Sequence, residues 1–166
     1  MGLGKTVQTC SLLAHLMESK NNHGPFLIIA PMSTLHNNWV YEFDRWFPNC
    51  LKVVYDGDKI RRKLIREKNF KTIDFNVLMT TYEFAMRDKR YLRKIEWKYI
   101  IIDEAHRLKN PKCKLAQELA DYTSKARRIA LTGTPLQNSL PVSKCNRLLD
   151  LACCLSLPNL LTIICC

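Results

Sequence analysis

No stretch of this 166-residue chain is apolar over anything near the roughly 20 residues that cross a bilayer. Its start, Met1-Gly2-Leu3-Gly4-Lys5-Thr6, lacks the apolar segment of a secretory signal. A membrane partner is therefore not expected. Nor is there a Cys-x-x-Cys pair among the eight cysteines, which argues against a zinc site. Cys10, Cys50 and Cys113 are scattered, while Cys145, Cys153, Cys154, Cys165 and Cys166 crowd the last stretch. Without a secretion signal, reduced thiols are the expectation, not disulfides. Internal repeats and low-complexity linkers are absent. Acidic residues are few, 15 against 26 Lys and Arg, for a net charge of +11. At 47% hydrophobic and 25% charged, the composition is that of a folding chain, not a disordered one. The positive excess favours polyanions, through counterion release and long-range steering.

What is present is an alternation. Short apolar runs at Phe26–Ala30, Leu51–Tyr55, Val77–Thr81, Tyr99–Asp103 and Arg128–Thr132 have strand length. Their near-continuous apolar character suits strands buried on both faces of a parallel sheet. Helical patterns lie between them. Thr6–Ser19 carries Val7, Cys10, Leu13, Ala14 and Met17 at helical spacing, and Thr34–Phe47 carries Trp39, Val40, Phe43, Trp46 and Phe47. These aromatics read as core, not as a platform for stacked bases. Asp58–Lys68 and Ala116–Tyr122 give weaker helical patterns. The alternation predicts a doubly wound α/β fold. After about Pro141 the chain turns rich in Leu and Cys and does not clearly extend the rhythm.

Three motifs carry chemistry. Gly2-Leu3-Gly4-Lys5-Thr6, leading into an apolar helix, matches the second half of a phosphate-binding loop. Glycines let backbone N–H groups close around phosphate oxygens, and the helix start adds unpaired donors. Lys5 can reach the β and γ phosphates, and Thr6 offers a hydroxyl to Mg²⁺. Asp103-Glu104-Ala105-His106 ends the run Tyr99–Ile102, at the strand end where open parallel sheets bind ligands. There Asp103 can hold Mg²⁺ through its water shell, and Glu104 can orient or deprotonate an attacking water. Thr132-Gly133-Thr134-Pro135 follows another apolar strand and puts hydroxyls and a tight turn near the same edge.

In order, MGLGKT, APMSTLHNNW, VLMTTYE, DEAHRLKN and ALTGTPLQN resemble the first lobe of superfamily-two helicases. Over residues 1 to about 141, and throughout Lys52–Leu140, the chain resembles the Brahma/Swi-Snf group of chromatin-remodelling ATPases. The resemblance implies a RecA-like P-loop lobe that uses ATP and Mg²⁺ and acts on duplex DNA and nucleosomes in the nucleus, with other remodelling-complex subunits as possible partners. It implies that Gly2, Leu3, Gly4, Lys5 and Thr6 bind nucleotide and that Thr6 and Asp103 bind metal. Asp103 and Glu104 would act on metal and water, with His106 linking the nucleotide site to the rest of the motor. Pro31, Ser33 and Thr34, with Thr80 and Thr81, would touch the DNA backbone, which carries no base information and suits a motor indifferent to sequence. Thr132, Gly133 and Thr134 would couple hydrolysis to movement. The DEAH tetrad is shared with RNA helicases of that name, a less fitting alternative given the TGTPLQN run.

Against that family the phosphate loop is expected to lack its first position and the strand before it. Residues 142–166 are expected to be a divergent tail, not a domain. A second RecA-like lobe, which in the family supplies the arginines that stabilise the transferring phosphoryl group, is expected to be missing. A chain so composed would bind nucleotide or DNA without turnover. Two basic runs, Arg61, Arg62, Lys63, Arg66 and Lys68, then Arg87, Lys89, Arg90, Arg93 and Lys94, read as solvated helix faces before they read as DNA sites.

Overall fold

A computed structural model describes residues 4–105, 122, 126–132 and 160–165, with backbone alone for Thr132 and 160–165. Gly2, Leu3, His106, Gly133 and Thr134 lie outside the described residues, as does all of the expected helix Ala116–Tyr122 except Tyr122.

The five expected strands all form. They are β1 (Phe26–Ala30), β2 (Lys52–Tyr55), β3 (Val77–Thr81), β4 (Tyr99–Ile102) and β5 (Arg127–Thr132), each within a residue of its sequence bounds. A sixth, β6 (Leu160–Cys165), comes from the tail. This corrects the reading that the tail does not continue the rhythm: Leu-Leu-Thr-Ile-Ile-Cys is a β-branched apolar run of strand length. The sheet order is β2-β3-β1-β4-β5-β6 and every pairing is parallel.

Alternate residues of these strands feed two cores. Leu27, Ile29, Leu78, Ile100 and Ile102 pack on one face, Phe26, Ile28, Val77, Met79 and Ile101 on the other. Burial on both sides explains why the strands read as unbroken apolar runs. The second face is covered by α1 (Lys5–Lys20) and by the helical stretch after β1. That stretch runs as α2 (Met32–Thr34), a π-helical segment (Leu35–Val40) and α3 (Tyr41–Trp46). The first face is covered by α4 (Lys59–Asn69), α5 (Tyr82–Arg87) and α6 (Lys89–Leu92). The chain thus leaves β1 over one face toward β2, whereas the connection after β4 puts Tyr122 on the other. The crevice between β1 and β4 is therefore a topological switch point, where open α/β sheets hold ligands.

Two helix faces differ from the sequence reading. On α1 the buried stripe is Thr6, Thr9, Cys10, Leu13 and Leu16, while Val7, Ala14 and Met17 flank it. In the stretch after β1, Trp39, Phe43 and Phe47 are core, but Trp46 is 54% exposed. The spacing 39, 43, 47 leaves residue 46 on the outer side, where its indole N–H donates to Glu42 at 2.6 Å and Arg45 lies over the ring at 5.0 Å.

The second basic run is a solvated face, with Arg87, Arg90, Arg93 and Lys94 exposed, but the first is not simply one. Arg62 is 3% exposed and its Nε donates to Asp88 at 2.7 Å. Arg66 stacks over Tyr91 at 4.2 Å and bonds the Tyr55 hydroxyl at 2.5 Å. The Tyr55 hydroxyl in turn donates to Asp88 at 2.8 Å. Arginines of the first run are thus spent on welding α4 to the segment between α5 and α6. Arg61, Lys63 and Lys68 remain exposed.

Candidate active site at the β1–β4 crevice

Each sequence motif that falls within the described residues meets the sheet at the carboxyl ends of its parallel strands. Gly4 precedes α1 with φ of +72°, a left-handed conformation that glycine adopts without strain. A Cβ there would meet nothing within 4 Å, so backbone conformation, not crowding, selects glycine. The helix is launched at this point, with Gln8 N–H donating to Gly4 O at 2.9 Å. Lys5 and Thr6 follow in its first turn, where backbone N–H groups have no intrahelical acceptor.

Asp103 follows β4 directly and is 5% exposed. Both of its carboxylate oxygens are held. Oδ1 accepts from the Glu104 backbone N–H at 2.9 Å, and Oδ2 accepts from the indole N–H of Trp39 at 2.9 Å. Its backbone is fixed too, since its N–H donates to Ile29 O at 2.9 Å and its carbonyl accepts from the Tyr82 hydroxyl. Glu104 has φ of +51°, unusual for a residue with a Cβ and of the kind that concentrates at functional sites. The Glu104 side chain reaches the first turn of α1. Lys5 Nζ then lies 3.2 Å from Glu104 Oε1, the two side chains being 16% and 25% exposed. A cation and two carboxylates thus share one rim, beside the start of a helix. Thr6 completes the cluster; its hydroxyl accepts from Asn38 Nδ2 at 2.9 Å.

These donors suit Mg²⁺. A threonine hydroxyl and carboxylates are hard oxygens, and Mg²⁺ takes only one or two protein ligands when phosphates and water complete its shell. Among the described residues, no group of three or more His, Cys, Asp or Glu that could hold a metal occurs.

The remaining candidates separate. Pro31 is buried ahead of α2, Ser33 is exposed and Thr34 is half-buried on the same rim. Thr80 is fully buried, its hydroxyl donating to Tyr55 O at 2.8 Å, so the expectation that it touches a DNA phosphate is corrected: the hydroxyl points inward and ties β3 to β2. Thr81 is 5% exposed, and its hydroxyl caps α5 by accepting from Phe84 N–H at 3.3 Å. Thr132 ends β5, on the same edge of the sheet.

Sequence reasoning missed Asn38 and Trp39 at the site, and missed the pair His36 Nε2 to Asp56 Oδ2 at 2.5 Å farther along the rim. Trp39 was readable as core alone. The signal that could have found it is the indole N–H, which when buried needs an acceptor.

Known proteins share this sequence and architecture. A family model described as the SNF2-related domain matches residues 1–157. The chain is 51% identical over 141 residues to the chromatin structure-remodeling complex subunit snf21 of Schizosaccharomyces pombe, covering 85% of this chain and 12% of that protein. It is 52% identical over 141 residues to the ATP-dependent helicase brm of Drosophila melanogaster, covering 85% of this chain and 8% of that one. Among solved structures, the Sulfolobus solfataricus SWI2/SNF2 ATPase core in complex with dsDNA aligns with a TM-score of 0.74 at 37% identity, covering 95% of this chain and 30% of that one. The chain therefore spans about a tenth of the length of these curated relatives.

Proposed function

Because the chain belongs to the SNF2-related family, we propose that residues 1–141 are the ATP-binding, first RecA-like lobe of a DNA-dependent ATPase that translocates on duplex DNA and remodels chromatin in the nucleus. The observation that carries this is the meeting of Lys5 and Glu104 at 3.2 Å, beside Asp103, at the switch point of a parallel sheet.

In this reading Gly2, Leu3, Gly4 and Lys5 cradle the triphosphate with backbone N–H groups and one ammonium. Thr6 and Asp103 hold Mg²⁺, which when bound neutralises phosphate charge. Glu104 orients the attacking water and takes its proton. His106 links the nucleotide to the rest of the motor, and Thr132, Gly133 and Thr134 couple hydrolysis to movement. The exposed Ser33 and the half-buried Thr34, at the start of the helical stretch after β1, touch DNA phosphates. Residues 142–166 form no domain of their own. A second RecA-like lobe supplies arginines to the transition state, an effect of roughly 10³–10⁵ in rate in related phosphoryl-transfer enzymes. Nucleosomes and further complex subunits engage the complete motor.

The test is direct. The purified 166-residue chain is titrated with MgADP, and its ATP turnover is measured with and without duplex DNA. Nucleotide binding that weakens about 10- to 100-fold in Lys5→Ala, with no DNA-stimulated turnover, is the expected result. Binding unaffected by Lys5→Ala overturns the assignment of the loop. Clear DNA-stimulated turnover overturns the need for a second lobe.

A further inference from the structure

Resting on the reading of Thr6 and Asp103 as the Mg²⁺ ligands, we infer that the π-helical segment Leu35–Val40 is a positioning device, with Asn38 setting Thr6 and Trp39 setting Asp103 for the cation. Neither residue belongs to the phosphate loop or to the acidic motif, and neither would touch nucleotide. Each makes one side-chain hydrogen bond at 2.9 Å to one of the two proposed metal ligands.

The geometry follows from the segment's winding. Helical bonding of the i→i+5 kind puts more residues in each turn than an α-helix does, so consecutive side chains diverge by a smaller angle. Asn38 and Trp39 are consecutive, yet one reaches α1 and the other reaches the end of β4. π turns of this kind recur at functional sites.

The bonds also decide what each ligand can do. Trp39 is fully buried, so its single N–H donor has no water to turn to and holds Asp103 Oδ2 in one direction. With Oδ1 bound by the Glu104 N–H, the carboxylate plane cannot rotate. Asn38 Nδ2 donates to the Thr6 hydroxyl oxygen, which orients that oxygen's remaining lone pair. A cation demanding near-octahedral geometry binds more tightly to ligands already oriented, which is how outer-shell partners tune metal sites.

The test reads metal dependence, not activity. ADP is titrated calorimetrically into the 166-residue chain at a series of MgCl₂ concentrations and in EDTA, for wild type, Asn38→Ala and Trp39→Phe. Phe keeps most of the aromatic volume and removes the N–H. Each variant is expected to need about 10-fold more Mg²⁺ for half-maximal tightening, the scale of outer-shell losses in metal sites. Affinity in EDTA is expected to stay within about 2-fold of wild type, since no phosphate contact is removed. An unchanged Mg²⁺ midpoint, or an equal loss of affinity with and without metal, overturns the inference. Should Trp39→Phe fail to fold, the half-buried Asn38→Ala carries the same readout. Absence of any Mg²⁺-dependent ADP binding by wild type instead defeats the functional reading on which the inference rests.

Discussion

Lys5 Nζ and Glu104 Oε1 lie 3.2 Å apart although 99 residues separate them in sequence, so under the proposed function an incoming phosphate competes with Glu104 for its cation. Two variants should therefore diverge. Glu104→Gln removes the competing charge, and nucleotide affinity is expected to hold or rise while hydrolysis by a longer relative stops. Lys5→Ala removes a charged donor worth roughly 1.5–3 kcal/mol, a loss of about 10- to 100-fold in nucleotide affinity. Equilibrium binding checks both. Lost binding in Glu104→Gln would give that residue a structural role instead.

A second ion pair holds the fold, not the site. Asp88 Oδ2 receives Arg62 Nε at 2.7 Å and the Tyr55 hydroxyl at 2.8 Å, with Arg66 at 3.5 Å. Burial alone would push the Asp88 carboxyl up, but the bonds from Arg62 and Tyr55 and the charges of both arginines outweigh it and hold it below the usual carboxylate range. Burial would likewise pull Arg62 down, and its bond to Asp88 reverses the sign. A depressed folded value means stability that is present above the unfolded pKa near 3.9 and lost as pH falls through the lower folded value. Asp88→Asn leaves Arg62 buried without its counter-ion. The expected cost is at the lower end of roughly 3–5 kcal/mol, because the Asp88 side chain keeps 12% exposure. Urea melts at neutral pH and at pH 3 should show the deficit shrinking in acid.

The fold was legible wherever burial on both faces wrote an apolar run. Phe26–Ala30 and Val77–Thr81 were bounded to the residue because every position in them is buried. That Lys5 and Glu104 would meet at one rim was legible because one motif opens the helix ahead of β1 and the other ends the apolar strand β4. What stayed hidden depends on winding and on long-range pairing. Period counting assumes 3.6 residues per turn, so a π segment inside Met32–Trp46 moved Trp46 outward and set Trp39 against Asp103 without changing composition. Arg62 read as a solvated cation because its partner, Asp88, lies 26 residues away. Thr80 looked like a phosphate contact, and only the pairing of β2 with β3 reveals Tyr55 O as its acceptor.

Cys10 and Cys50 are free and buried in the core beneath α1 and α3. Burial, with Glu42 and Cys50 nearby, pushes the Cys10 thiol up to about 12. Burial pushes Cys50 up to about 11. The thiolate is the nucleophile, so both should resist iodoacetamide at pH 8 and label only on unfolding, as peptide mass spectrometry would read. Because both folded values exceed the unfolded one near 8.5, their contribution to stability is full below that pH. It should fall as pH rises through 11 and 12, and Cys10→Ala should flatten that decline. Rapid labelling of either thiol in the native chain would show the core to be looser than its packing implies.

The two tryptophans of the stretch after β1 give opposite expectations from similar sequence contexts. Trp39 is fully buried against Phe43 at a ring separation of 6.3 Å and bonds Asp103. Truncation to alanine removes a large buried ring, a change that costs roughly 3–5 kcal/mol in cores. Trp46 is 54% exposed, with one bond to Glu42 and one stacked guanidinium from Arg45. Its loss should cost no more than about 1 kcal/mol, the scale of an exposed cation–π contact. Fluorescence tells the same two sites apart, since acrylamide should quench Trp46 strongly and Trp39 hardly at all. Urea melts of Trp39→Ala and Trp46→Ala, read with quenching of the wild type, test the register that the π turn imposes. A larger cost for Trp46→Ala than for Trp39→Ala would mean that residue 46, not residue 39, shares the core with Phe43, and the contact between Trp39 and Asp103 would fall with it.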